Sequence, residues 1–421
     1  MYKKGLQEPA PFELLVLYHH DLQAKSTSSH QDIVIAYPST ATPPRVNSRS
    51  TMAHGQTTAT PKHGSVLDIG GGKISSHILD DLRRVLVAAA AAPPTMPDEL
   101  LYDDKGLAIW ADIIFTPQFY QTRDEIVLFQ RHSGELARDY IPEDATMIDL
   151  GAGDMRKVNY LLEELASQGR RATYLALDIS KHSLTTNLEA LAPRHAGGSV
   201  RMAGLWGDFA AGLAFAETVT ATPRVFLSLG SVLFNDPWKK AVAALRDWAA
   251  LMRPADLILA GMDGHDVSSA KVWDAYHAHP DLFGRFFHNG LAHANALLGH
   301  QVFRPDDWEI CAEVDAAEKR HRFYLQARRD VDVDVGVGAG TATTTKTTLR
   351  RGLEVDWFDA HKRSEVDVRG MCREAGLEVV KSWAVEGSEM RQYLIRVNPD
   401  GGAAADNSSD EKDSAISVSG E

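Results

Sequence analysis

Apolar residues recur at helical spacing from Ser75 to Val87, and from about Thr146 the pattern changes to short apolar runs that alternate with amphipathic stretches. Met147–Leu150 (MIDL) reads as a strand, and Lys157–Ala166 as a helix with Val158, Leu161, Leu162 and Leu165 on one face. Tyr174–Asp178 (YLALD) reads as the second strand and Leu184–Leu191 as its helix. Arg224–Gly230, a helix over Trp238–Met252, and Asp256–Asp263 continue the alternation to about Gly261. Strands that alternate with helices in this way predict an α/β core built on a parallel sheet over 146–263.

Three stretches lack the large apolar side chains needed to offset chain ordering. The Ser-, Thr-, Pro- and His-rich region up to His63 and the tail 399–421 are expected to be disordered arms, and 331–348, with its Gly-Ala-Gly and Thr runs, a flexible loop insertion. A chain of 421 residues exceeds one small core. Segments 64–145 and 264–330 are therefore assigned to a second lobe, and 349–398 to strands that complete the core.

A formal net charge of -13 argues against a nucleic-acid groove or an anionic membrane surface, so a small-molecule partner is expected. Cys311 and Cys372 lie far apart without metal-ligand spacing, which indicates reduced core thiols of a cytoplasmic protein and no zinc site. No apolar run reaches the length of a membrane span, and the short run Phe12–Tyr18 lacks the basic flank of a secretory signal. Monomer and homodimer remain equally open.

Candidate chemistry collects at the ends of the expected strands. Asp149-Leu150-Gly151-Ala152-Gly153-Asp154 is a glycine turn between strand and helix, where a Cβ would block approach of a ligand to the backbone. It lacks the third glycine of the dinucleotide fingerprint, which favours an adenosyl ligand with an amino-acid tail over a pyrophosphate. Asp178, 27 residues after Gly151, closes the second strand where a carboxylate can accept both ribose hydroxyls. Asp208-Phe209 follows the third, offering a polar contact and an aromatic wall to adenine. The upstream Val66–Ile74 (VLDIGGGKI) has no acid-ended second strand after it and reads as a linker and helix start.

Tyr102–Glu125 (YDDKGLAIWADIIFTPQFYQTRDE), Gly151–Lys157, Leu177–Ser180, Gly207–Phe209, Gly230–Asn235 and Ala275-Tyr276 followed by Asn289 and Asn295 together resemble the histidine-specific methyltransferases of ergothioneine biosynthesis and their fungal relatives that N-methylate dimethylallyltryptophan. The resemblance covers about Val66 to Val397. It implies a Rossmann-like class I S-adenosylmethionine (SAM) methyltransferase sheet with a second α+β substrate-binding lobe. It further implies that Tyr102, Gly151, Lys157, Asp178, Asp208 and Phe209 hold the methyl donor, that Asn235 and Tyr276 clamp the amino acid's carboxylate and amine, and that Trp110, Phe119 and Tyr120 face the substrate.

Departures from that pattern bear on the substrate. Trp110 and Phe119 match the ergot-type enzymes and favour an indolic or bulky apolar side chain over histidine. Arg322 and Tyr324 stand where the family carries a Glu-x-Ser pair facing the substrate, and Phe234 replaces a glycine beside Asn235 and is expected to crowd the pocket or shift that loop. Methyl transfer from a sulfonium needs position and a neutral amine, so Tyr276 is the first candidate to orient the nitrogen and Asp263 the second. No metal is required. The leading expectation is an N-methyltransferase of an amino acid or an amino-acid-derived secondary metabolite. A histidine Nα-methyltransferase, a non-catalytic SAM-binding paralogue and a nucleotide-dependent oxidoreductase are the alternatives.

Overall fold

The computed structural model describes residues 61–89, 94–337 and 344–399. Both terminal arms apart from a few residues, and the run Phe12–Tyr18, lie outside them. The chain enters as β1 (Val66–Asp68), α1 (Ile74–Ala88), α2 (Asp104–Ile114) and α3 (Tyr120–Glu135). The core follows as β2 (Ala145–Leu150), α4 (Arg156–Ser167), β3 (Ala172–Asp178), α5 (Lys181–Leu191), β4 (Val200–Trp206), α6 (Phe209–Thr218), β5 (Arg224–Ser228), α7 (Trp238–Leu251) and β6 (Leu257–Asp263). Then come α8 (Ala270–His277), α9 (Pro280–Leu298), β7 (Trp308–Asp315), β8 (Arg320–Ala327), β9 (Val331–Val337), β10 (Thr344–Leu349), β11 (Glu354–His361), α10 (Glu365–Glu374), β12 (Leu377–Ala384) and β13 (Met390–Val397).

The main sheet has the order β1-β4-β3-β2-β5-β6-β13-β12, parallel except for β13, which runs antiparallel to both β6 and β12. From β2 the chain winds outward through β3 and β4, then returns to place β5 and β6 on the other side. The strand order therefore reverses between β2 and β5, and the crevice at their carboxyl ends is where open α/β sheets take their ligands. Every residue of β2 and β5 is buried, so adjacent apolar residues such as Met147-Ile148 and Val225-Phe226-Leu227 lie on both faces and the strands are legible without alternation. One sheet face packs on Leu128 and Phe129 of α3, Leu161 and Leu165 of α4, and Leu184 and Leu188 of α5. The other packs on Phe215 of α6, Leu245 and Trp248 of α7, and Met371 of α10.

The second lobe is a separate apolar cluster in which α1, α2, α8 and α9 pack on a three-stranded antiparallel sheet, β11-β8-β7.

Four expectations need correction. Val66–Asp68 is not a linker: it pairs parallel with β4 as an edge strand, and Gly71 lies so close to the Trp206 indole that a Cβ would stand 2.0 Å from it. Of the stretch 331–348 expected as a loop, the described residues 331–337 and 344–348 are strand: β9 and β10 pair antiparallel, and Val331, Val333 and Val335 enter the second core. Segment 349–398 divides, with β11 in the small sheet and only β12 and β13 completing the large one. Phe234 does not crowd a pocket; it is buried in the core against the α7 side of the sheet.

Candidate active site

The glycine turn after β2 has the geometry the sequence demands. Gly151 (φ +68°) and Gly153 (φ +47°) both sit in the left-handed region that a side chain rarely adopts. A Cβ on Gly151 would reach 3.7 Å from the Phe209 ring, so the two glycines leave a cradle below an aromatic face that is 48% exposed. Asp178 closes it from the side: its Oδ2 accepts from the Gly153 N–H at 2.9 Å and its Oδ1 from the Ser180 N–H at 2.9 Å. Burial pushes the Asp178 carboxyl up, and these N–H groups oppose the shift. Each oxygen retains acceptor capacity for a ribose hydroxyl. Ser180, not Asp178, caps α5, and its hydroxyl donates to Asp104 at 2.6 Å, tying the second lobe to this edge.

Asp208 caps α6 through the Ala211 N–H, and its second oxygen lies 3.6 Å from His77 Nδ1. A cavity of about 310 Å³ opens here, lined among others by Ile74, His77, Ile78, Glu99 and Asp208; neither Asp178 nor Tyr276 lines it. Lys157, in the first turn of α4, donates to Glu125 Oε2 at 2.6 Å. Glu125 Oε1 accepts the Gly230 N–H at 3.1 Å and packs against Gly261. One buried carboxylate thus joins the carboxyl ends of β5 and β6 to the helix that starts at the glycine turn. A glycine cradle, an aromatic face and a carboxylate with spare acceptor sites suit an adenosyl ligand such as S-adenosylmethionine.

Beside this edge, at the carboxyl end of β6, a buried polar network joins both lobes. Asp263 Oδ2 accepts from Tyr120 Oη at 2.6 Å and lies 3.2 Å from Lys362 Nζ, while Oδ1 meets His265 Nδ1 at 2.7 Å. Lys362 and Gln121 both donate to Tyr276 Oη at 3.0 Å. Burial alone would raise the Asp263 carboxyl, yet Lys362, His265 and Tyr120 hold it well below the usual carboxylate range. Around Tyr276 stands an aromatic wall. Trp110 stacks on Phe286 at 5.3 Å, Phe119 approaches Tyr276 at 5.9 Å, Phe358 lies 5.8 Å from Trp110, and His321 stacks on Tyr276 at 4.6 Å. Tyr102 packs edge-on to Trp110 and Phe286, and burial, reinforced by Asp98, pushes its phenol up.

The structure therefore brings Gly151, Lys157, Asp178, Asp208 and Phe209 to one edge, and Tyr102, Trp110, Phe119, Tyr120 and Tyr276 to the packed aromatic cluster of the second lobe. Asn235 borders them with its amide on β11, donating to Asp359 O and accepting from His361 N, each at 2.8 Å; one Nδ2 hydrogen lies beyond these bonds. Arg322 and Tyr324 are not brought in. On β8, His321, Phe323 and Leu325 point into the lobe, and the alternation turns Arg322 and Tyr324 to the opposite face. There Arg322 pairs with Glu313 and Glu354 and lies over the Tyr324 ring. Asn289 and Asn295 are occupied by Asp103 and by the Val302–Phe303 backbone respectively.

Sequence reasoning gave no role to Glu125, Gln121, Lys362, Phe286 or Phe358. Glu125 and Gln121 lay inside the Tyr102–Glu125 string, which was the available signal; Lys362, in the basic run His361-Lys362-Arg363, carried none. Among the described residues no group of three His, Cys, Asp or Glu side chains converges to hold a metal, and no helix is long and apolar enough to cross a membrane.

Residues 78–397 match the family model described as histidine-specific, SAM-dependent methyltransferase. Ergothioneine biosynthesis protein 1 of Neurospora crassa is 30% identical over 360 residues, covering 82% of this chain and 39% of that protein. N-methyltransferase imqF of Aspergillus flavus is 27% identical over 325 residues, covering 76% of this chain and 85% of its own. 4-Dimethylallyltryptophan N-methyltransferase easF of Claviceps purpurea is 28% identical over 344 residues, covering 77% and 97%. The chain thus spans well under half the length of the Neurospora protein and most of the other two. With the family match extending over most of the chain and across both lobes, the protein belongs to the histidine-specific, SAM-dependent methyltransferase family.

Proposed function

We propose that the protein transfers a methyl group from S-adenosylmethionine to the amine of an amino acid or an amino-acid-derived precursor with an aromatic side chain, 4-dimethylallyltryptophan being one candidate. The observation that supports this most is the adjacency of the Asp178 cradle to the Tyr276 network and its wall of Trp110, Phe119, Phe286 and Phe358. S-Adenosylmethionine supplies a methyl group already activated on a sulfonium, so the protein's contribution is position, water exclusion and removal of a proton. Tyr102, Gly151, Lys157, Asp178, Asp208 and Phe209 hold the donor in this reading. The remaining Nδ2 hydrogen of Asn235 meets the substrate carboxylate, and Tyr276 meets the amine.

Trp110, Phe119, Phe286 and Phe358 offer carbon-rich rings, which suit an indole better than an imidazole that needs hydrogen-bond partners. Histidine is the second reading, from the family description and the Neurospora relative. The partner is a small molecule rather than nucleic acid or membrane, and the proposed form is a cytoplasmic monomer or homodimer.

Calorimetric titration with S-adenosylhomocysteine and with NADH, then incubation of labelled S-adenosylmethionine with histidine, tryptophan and dimethylallyltryptophan, tests the reading. Binding of S-adenosylhomocysteine alone and transfer to the indolic amines are expected. Transfer to histidine alone selects the second reading, and donor binding without transfer to any amine leaves a non-catalytic paralogue.

A further inference from the structure

We propose that Lys362 is a positioning residue that holds the Tyr276 phenol oxygen as the acceptor of the proton lost by the substrate's ammonium, an assignment that rests on the amine methyltransferase reading above. Lys362 is 3% exposed, and lysine is rarely buried without a partner. Its partners are Asp263, at 3.2 Å, and Tyr276 Oη, at 3.0 Å. Gln121 donates to the same oxygen from α3, also at 3.0 Å. Two donors aimed at one phenol oxygen is the arrangement that stabilises negative charge there.

Amine chemistry calls for such a group. The nitrogen's lone pair must point along the line to the methyl carbon, so its N–H bonds must be donated to the protein. Asp263 is unsuited to accept, because Tyr120, His265 and Lys362 already occupy its oxygens. The other groups facing Tyr276 are Phe119 of the α2–α3 connection, Phe283 of α9, Phe358 of β11, and His321 of β8, which burial holds uncharged; Tyr102 lies nearby. Among the described residues that the structure places against Tyr276, Lys362 is the cation.

The balance is simple. As the substrate's ammonium arrives, the Tyr276 proton leaves to solvent; the ammonium proton then passes to Tyr276 Oη. The freed lone pair forms the N–C bond while the C–S pair departs with sulfur, leaving a neutral thioether and a methylated ammonium. Binding of an ammonium substrate therefore releases roughly one proton net.

That release is measurable without turnover, by calorimetry of amine binding to the S-adenosylhomocysteine complex in two buffers of different ionisation enthalpy. Wild type is expected to release about one proton, Lys362→Met and Tyr276→Phe none, and Lys362→Arg to retain the release. In turnover, Lys362→Met is expected to lose about a hundredfold or more in kcat and to move the acid limb of the pH profile to higher pH, with a smaller change in KM. Wild-type protein that methylates an amine without releasing a proton on binding overturns this inference alone, whether or not the variants fold. Lys362→Met that releases the proton as wild type does overturns it too. Wild-type protein that methylates no amine overturns the functional reading itself.

Discussion

Lys157 Nζ lies 2.6 Å from Glu125 Oε2, a contact that ties the helix following the glycine turn to the helix that carries Tyr120 to Asp263 and Gln121 to Tyr276. The Glu125 side chain is fully buried and also takes the Gly230 N–H, so its loss leaves a largely buried ammonium and a backbone donor unpartnered. Glu125→Ala is expected to cost about 3–5 kcal/mol, the usual consequence of removing one member of a buried pair. Urea unfolding measures it; a loss under about 1 kcal/mol would mean that Lys157 finds water instead.

Asp178 and Phe209 both face the donor edge but differ in what else they hold. Asp178→Ala removes two backbone hydrogen bonds as well as the proposed ribose acceptor, so both the melting temperature and S-adenosylhomocysteine affinity are expected to fall, the affinity by about tenfold or more. Phe209 is half exposed, and Phe209→Ala is expected to weaken binding by about 0.5–1.5 kcal/mol with little change in melting temperature. Unchanged calorimetric affinity in Asp178→Ala sinks the ribose assignment.

The alternation of β8 separates Arg322 from the wall that Phe358 helps to form. Arg322→Ala is expected to leave KM for the amine within about twofold of wild type. Phe358→Ala opens the wall between Trp110 and Tyr276 and raises that KM about tenfold or more. Steady-state kinetics with one amine substrate compares them, and a larger KM change in Arg322→Ala would return that residue to the substrate.

His277 and His321 touch through their Nε2 atoms at 2.8 Å, and burial pushes His277 down to about 4 and His321 well below its ordinary value. The unfolded chain takes up protons near the ordinary value of 6.5 that the folded pair refuses. The pair's contribution to stability is thus complete above 6.5 and is lost as pH falls from there toward about 4. Melting temperature is expected to drop across that window in wild type, and His277→Leu to flatten the slope. An equal slope in both would place the acid sensitivity elsewhere.

The grouping of Gly151, Asp178 and Asp208 at one sheet edge was legible because these residues follow strand ends within a short stretch, so local pattern and position in the chain coincide. Gly151, Asp178 and Asp208 needed only the βα alternation to be placed at one edge, and the full burial of β2 and β5 made that alternation plain. Val331-Asp-Val-Asp-Val335 also carried a period of two, but the adjoining glycine and threonine runs suggested a loop, and pairing with β10 decided the matter. Three residues, Val66–Asp68, are too few to show any period; only their hydrogen bonds to β4 make them a strand.

The amino-acid order by itself determined the parallel core, the glycine cradle and the acids at its rim, because burial on both faces and positive φ impose residue types locally. The meeting of Tyr120 with Asp263, 143 positions away, and of Tyr276 with Lys362, 86 away, was decided by tertiary packing between elements far apart in the chain. So was the inward face of β8: alternation fixes which side chains share a face, and only the neighbouring layer fixes which face is buried.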